Sequence, residues 1–165
     1  MDEPVVHVLF LCTGNSARSI MAEALMNHLG QGTCAAYSAG SHPTGCVHPL
    51  TLVTLQAMGL PVEGLRSKSW EEFARPGASL VDYILTVCDN AAGEVCPIWP
   101  GQPITAHWGV EDPAACVGTE AEQRQKFYEV AQQLRRRIER FLRLPLATLD
   151  TTTMRTMLQE IGQEG

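Results

Sequence analysis

Residues 5–11, Val-Val-His-Val-Leu-Phe-Leu, form an apolar run without polar alternation that ends directly on Cys12-Thr13-Gly14-Asn15-Ser16-Ala17-Arg18-Ser19. A strand with one face in water alternates apolar and polar positions, and a strand that does not is buried on both faces. Burial on both faces needs helices above and below the sheet, which favours parallel strands linked by crossover helices. The remaining periodicities agree. A helix is expected over 17–29, with Ile20, Met21, Ala24, Leu25 and Leu29 on one face, and a strand over 34–38 closed by Ala39-Gly40. A second helix is expected over 48–58 through Leu52, Leu55 and Met58, stopped by Gly59, and a short one opens within 67–73. Further strands are expected at 83–87 and 104–108. The longest helix spans 120–142, with the stripe Phe127, Val130, Ala131, Leu134, Ile138, Phe141 and Leu142. Arg135-Arg136-Arg137 and Arg140 fall mostly on its opposite side, and the cluster reads as a solvated face. The expected fold is α/β: a single-domain, doubly wound sheet of about four parallel strands with helices on both faces. Its bounds are 1–145. Residues 146–165 are expected to be a C-terminal extension whose Met154, Met157, Leu158 and Ile161 mark a packing helix.

The loop after the first strand carries the chemistry. Five small or polar residues separate Cys12 from Arg18 where a strand turns into a helix. Backbone N–H groups of such a loop converge on one point, and the helix N-terminus behind them adds positive potential. Gly14 permits close approach of the backbone, and the planar fork of Arg18 grips two oxygens at once. Together they suit a tetrahedral oxyanion held against a Cys12 thiolate, the attacking form of the residue. Loss of oxygen from such an anion needs a proton for the leaving group, and a carboxylic acid on a loop supplies it. Asp112-Pro113, just past the strand at 104–108, falls on the same sheet edge as Cys12 and is the candidate acid.

Six cysteines, at 12, 34, 46, 88, 96 and 116, show no C-x2-C pair and no Cys/His set with structural-zinc spacing. Cys34 reads as core. Cys88 ends the strand at 83–87, again on the active edge, and Cys96 follows in a polar segment that contains Gly93. Were 88–96 helical, eight steps would place the two α-carbons about 12 Å apart, whereas a disulfide tolerates about 7 Å at most. A Cys88–Cys96 bond therefore requires the segment to unwind, as a redox switch would. With 12 basic and 18 acidic residues the formal charge is −6, which disfavours nucleic acid and leaves anion binding to a local site. No apolar stretch is long enough to span a bilayer, and the N-terminus leads straight into a strand, so the expectation is a cytoplasmic protein with no membrane partner.

These residues resemble the low-molecular-weight protein tyrosine phosphatase superfamily through residues 11–19, Ser38-Ala39-Gly40 and Asp112-Pro113, over roughly 5–144. Within it, Thr13, the Cys88/Cys96 segment and His107-Trp108-Gly109 resemble the arsenate reductases of that fold. The resemblance implies that Cys12 attacks arsenate, that Thr13, Gly14, Asn15, Ser16, Ala17, Arg18 and Ser19 bind it, and that Asp112 protonates the leaving oxygen. Cys88 would then attack the Cys12–arsenic adduct and release arsenite, and Cys96 would attack Cys88. A resulting Cys88–Cys96 disulfide would pass to an external thiol reductant: thioredoxin, glutaredoxin with glutathione, or mycothiol. No tightly bound cofactor is implied. Ser16 and Ser19 would order the loop or the thiolate, and Asn15, Glu23 and Ser38 resemble positions where some relatives bind potassium. Phosphate and sulfate would compete with arsenate, and a monomer is expected.

Three departures bear on the choice of reaction. Thioredoxin-coupled members place their redox cysteines one residue closer than Cys88 and Cys96. Ala17 stands where several relatives carry a further cysteine. Ala114-Ala115 replace the aromatic residues with which phosphotyrosine phosphatases stack an aryl ring, which favours a small inorganic substrate. The alternative is a phosphatase that forms a Cys12 phosphocysteine, with Cys88 and Cys96 guarding Cys12 against over-oxidation. A third reading, an oxyanion-binding module without catalysis, is opposed by the intact Cys12, Arg18 and Asp112 set.

Overall fold

The first strand, β1 (Val6–Cys12), has Val8, Leu9, Phe10 and Leu11 fully buried, as an unalternating apolar run requires. A computed structural model describes residues 5–74, 81–87, 103–145 and 148–163. Around β1 the chain forms α1 (Arg18–Leu29), β2 (Cys34–Gly40), α2 (Pro49–Ala57), α3 (Glu71–Ala74), β3 (Tyr83–Thr86), β4 (Ile104–His107), a 3-10 turn (Pro113–Ala115), α4 (Glu120–Leu142) and α5 (Thr151–Gly162). The four strands are parallel, in the order β2-β1-β3-β4. Their register aligns Cys12 with Gly40, and Leu11 with Thr86 and, through it, His107. The carboxyl ends of all four strands therefore share one edge, where ligands bind in open α/β sheets.

Alternation along β1 divides the core into two layers. Val8, Phe10 and Cys12 face α1, α4 and α5, against Met21, Leu25, Phe127, Leu134, Ile138, Phe141, Met154, Leu158 and Ile161. Leu9 and Leu11 face the other way, with Ala39, Val81 and Ile84, and are covered among the described residues by Tyr37, Trp70 and Phe73. The long helix occupies the expected 120–142, opened by a reciprocal cap in which Thr119 Oγ1 accepts from Glu122 N–H and the Glu122 carboxylate accepts from Thr119 N–H.

One assignment on that helix is corrected. Arg137 is buried (4% exposed) and does not lie with the solvated arginines. It stands three residues after Leu134 and four before Phe141, which at 3.6 residues per turn places it on the apolar stripe. Strand β4 ends at His107, one residue earlier than expected; Trp108 still donates its backbone N–H to Thr86 O at 2.7 Å, and its indole N–H donates to Leu158 O at 2.9 Å. Among the described residues no helix is long and apolar enough to cross a membrane.

Candidate active site

The loop between β1 and α1 is held from outside by its carbonyls. Thr13 O accepts from His42 N–H at 2.9 Å, and Gly14 O from Thr44 N–H at 3.0 Å and Ser67 Oγ at 3.3 Å. Ser16 O accepts from His48 N–H at 2.9 Å and from Thr51 Oγ1 at 2.9 Å. In a trans peptide the N–H points opposite to the preceding C=O. Carbonyls 13, 14 and 16 turned outward therefore turn the N–H groups of Gly14, Asn15 and Ala17 inward. Behind them α1 begins with no side-chain cap, so the dipole at its first turn adds to the positive potential of the loop.

Two residues let the loop close this tightly. Asn15 sits at φ +47°, a left-handed conformation that asparagine tolerates better than most residues. Its buried side chain donates to Ser19 Oγ at 2.8 Å and accepts from Lys68 N–H at 2.8 Å, tying the loop to α1 and to the segment before α3. Gly40 faces the loop across the β1–β2 register. A Cβ there would lie 2.5 Å from Thr13 O and 3.0 Å from both Cys12 O and the Asn15 Cβ, so only glycine fits.

Cys12 closes β1 and is almost fully buried. Arg18, the first residue of α1, donates through Nη1 to Val110 O at 3.1 Å, and its Nη2 lies 3.7 Å from Asp112 Oδ2. Arg18 is 15% exposed and Asp112 43%, so the arginine is fixed while the carboxylate meets solvent. Asp112 also caps the 3-10 turn, accepting from Ala114 N–H at 3.0 Å through Oδ1. The chain reaches Asp112 by two backbone bonds, one to the end of β3 and one to the residue after it: Trp108 N–H to Thr86 O at 2.7 Å and Val110 N–H to Val87 O at 3.0 Å. Val87, the residue before Cys88, donates in turn to Leu11 O at 2.8 Å. The fold thus gathers residues 12–19 and Asp112. Cys88 and Cys96 lie outside the described residues. Cys34 is a core thiol, which burial pushes up to about 11.

Of the three residues matched to a potassium site, Glu23 and Ser38 meet, with Ser38 Oγ donating to Glu23 Oε1 at 2.5 Å. Asn15 is engaged with Ser19 and the Lys68 backbone. The Lys68 ammonium stands 3.7 Å from Glu23 Oε1 and donates to Arg66 O at 2.9 Å. Burial pushes the Glu23 carboxyl up, opposed by the Ser38 hydroxyl and the Lys68 charge. Burial likewise pushes Lys68 down, opposed by Glu23. Sequence reasoning missed Lys68, Ser67 and the supports at 42–51. His48-Pro49 does carry a legible helix-start signal, since His48 Nδ1 caps α2 by accepting from Leu50 N–H at 3.0 Å. Nothing in that signal says that the His48 backbone also holds the loop.

A nucleophilic sulfur, a ring of inward N–H groups, a fixed guanidinium and a solvent-facing carboxyl can together bind a tetrahedral oxyanion and expel one of its oxygens. The family model of the low molecular weight phosphotyrosine protein phosphatases matches residues 7–155. The chain is 36% identical over 135 residues to an arsenate reductase of Bacillus licheniformis, covering 81% of this chain and 93% of that one. It is 30% identical over 135 residues to a glutaredoxin arsenate reductase of a Synechocystis species, covering 82% and 95%. Among solved structures it is similar to an arsenate reductase in the phosphate-binding state, with TM-score 0.68, 28% identity and coverage of 84% and 97%.

Proposed function

The chain belongs to the low molecular weight phosphotyrosine protein phosphatase family, and on that footing we propose that it is an arsenate reductase working through a relay of three sulfurs. The Cys12 thiolate attacks arsenic(V), held by the inward N–H groups and by Arg18. One arsenate oxygen leaves as water with a proton from Asp112, forming a Cys12 Sγ–As bond. The Cys88 thiolate attacks Cys12 Sγ, the S–As bond breaks, and its electron pair leaves with arsenic as arsenite. A Cys12–Cys88 disulfide remains. Cys96 attacks Cys88, restoring the Cys12 thiolate, and an external thiol reductant reduces Cys88–Cys96.

The observation that supports this reading is the contact of Arg18 with both Val110 O and Asp112, which brings a carboxyl group beside the loop that follows Cys12. The rim next to it favours a small anion over an aryl ester. Asp112 is followed by Pro113–Ala115 in the 3-10 turn, where Ala114 and Ala115 are exposed and offer no ring for stacking. The test is arsenite release by the wild type, Cys88→Ser and Cys96→Ser, run alongside hydrolysis of an aryl phosphate. Cys88→Ser is expected to stop arsenite release and leave aryl phosphate hydrolysis intact. Equal arsenite release by Cys88→Ser and the wild type overturns the relay. Turnover supported by glutaredoxin and glutathione, thioredoxin or mycothiol identifies the donor, and full activity of Cys96→Ser with glutaredoxin removes Cys96 from the relay.

A further inference from the structure

The chain leaves β4 at His107 and must turn to bring Asp112 over the oxyanion loop. In a regular strand, consecutive carbonyls point to opposite sides. Here the carbonyls of Trp108 and Gly109 both accept from a single nitrogen, Arg137 Nη1, at 2.8 and 3.0 Å. The next carbonyl, Val110, accepts from Arg18 Nη1 at 3.1 Å. Three successive carbonyls on the way to Asp112 thus end on two guanidinium groups, one of which also faces Asp112 itself.

The root of this turn is pinned as well. Trp108 is fully buried, and its indole N–H donates to Leu158 O of α5. Gly162 of α5 lies flush against the same place, where a Cβ would stand 2.2 Å from His107 O. With Trp108 fixed and Val110 N–H tied to Val87 O, the path of the chain between and beyond them depends further on what holds the carbonyls of 108–110. Arg137 does so from a position on the apolar stripe of α4, where leucine or methionine would satisfy the core. A guanidinium is costly to bury, and its fork is kept where hydrogen-bond geometry matters.

We propose that Arg137 is a positioning residue for the proton donor: through the Trp108 and Gly109 carbonyls it sets the exit of the loop that carries Asp112. The inference rests on the proposed reaction only in needing Asp112 as the acid. Arg137 touches no reacting atom, so its removal should impair proton delivery and leave anion binding alone.

The test is a double-mutant cycle in the full chain. Arg137→Met and Arg137→Lys are made in the wild type and in Asp112→Asn, and the first-turnover rate, kcat, KM for arsenate and the pH profile are measured. Arg137→Met is expected to lower the first-turnover rate ~10- to 100-fold, the cost of misplacing a reacting group by about 1 Å. KM should stay within about twofold and the high-pH limb should shift, because proton transfer alone is disturbed. In Asp112→Asn the same substitution should cost no more than about twofold, since coupled residues are not additive. Arg137→Lys should recover part of the rate. Equal losses in both backgrounds, or no loss in the wild type, overturn the proposal. If Arg137→Met does not fold, judged by circular dichroism, Arg137→Lys and Arg137→Gln carry the same cycle. Aryl phosphate hydrolysis is measured in parallel. A wild type that hydrolyses the ester without reducing arsenate ends the reductase reading, while the Arg137–Asp112 coupling is still read from hydrolysis.

Discussion

The two loops that meet at Arg18 are fastened to different degrees by backbone and by side chain. The oxyanion loop, 13–17, is tied by its backbone: three of its carbonyls accept bonds from residues 42–51 and 67, and Asn15 at its centre is fully buried. The acid loop, 108–112, has two backbone bonds, from the N–H groups of Trp108 and Val110, but its carbonyls end on the side chains of Arg137 and Arg18 and its terminal carboxylate is 43% exposed. Backbone anchoring suits a group that must present a fixed set of N–H donors to every anion that enters. Side-chain anchoring suits a group that need reach its place only when an oxygen leaves. On this comparison, damage to the first loop should appear in binding and damage to the second in turnover.

Asp112→Asn separates the two loops most strongly. It keeps the side chain's shape and an oxygen to cap the 3-10 turn, and removes the transferable proton together with the charge that faces Arg18. kcat for arsenate should fall about 10²- to 10⁴-fold, the range for loss of a general acid, with KM nearly unchanged. The limb of the pH profile on which activity falls as the acid loses its proton should disappear. A rise in KM matching the fall in kcat would place Asp112 among the binding groups and erase the distinction between the loops.

Gly40→Ala probes the other side with a smaller effect. Its Cβ would meet Thr13 O at 2.5 Å, so the oxyanion loop or β2 must move. A loss of about 1–3 kcal/mol of stability is expected from overpacking, read from urea denaturation. Affinity for phosphate as a competitor should drop with it, because the displaced carbonyl carries the Gly14 N–H along. Unchanged phosphate affinity in a folded Gly40→Ala variant would show that the loop tolerates displacement and is not the rigid partner of the pair.

Much of this arrangement was legible in the sequence, and the illegible parts have separate physical causes. The apolar run at 5–11, the cysteine–arginine spacing and the stripe of α4 each follow from local periodicity, which backbone geometry enforces. Three of the five supports of the loop's carbonyls are backbone N–H groups, of His42, Thr44 and His48, and a backbone N–H is the same in almost every residue. Arg137 was hidden otherwise. Beside Arg135 and Arg136 it reads as part of a charged run, and only the helical angle places it on the buried side. Lys68 and Glu23 are far apart in sequence and meet where the Lys68 backbone is bonded to Gly40 N–H and to the Asn15 side chain.

That buried pair gives the finest test of how rigid the rear of the oxyanion loop is. Glu23 carries Ser38 and faces the Lys68 ammonium, and the Lys68 backbone N–H holds Asn15, so the charge and the loop share one support. Burial raises the folded-state pKa of Glu23 above its ordinary 4.5 despite both partners. The folded protein therefore binds this proton more readily than the unfolded chain, and the contribution is fully present below 4.5 and lost as pH rises through the raised value. Glu23→Gln removes the titration while retaining an acceptor for Ser38. The urea midpoint of Glu23→Gln relative to wild type should shift in the variant's favour as pH climbs through that window. It should not move at lower pH, where both side chains are neutral. The opposite slope would mean that Lys68 holds Glu23 ionised more strongly than burial opposes it. Because the ammonium already stands beside Glu23, the same reading expects turnover in potassium and in sodium at equal ionic strength to match. A specific gain in potassium would mean that the ion displaces Lys68, and the rear of the loop would then be the adjustable part of the site.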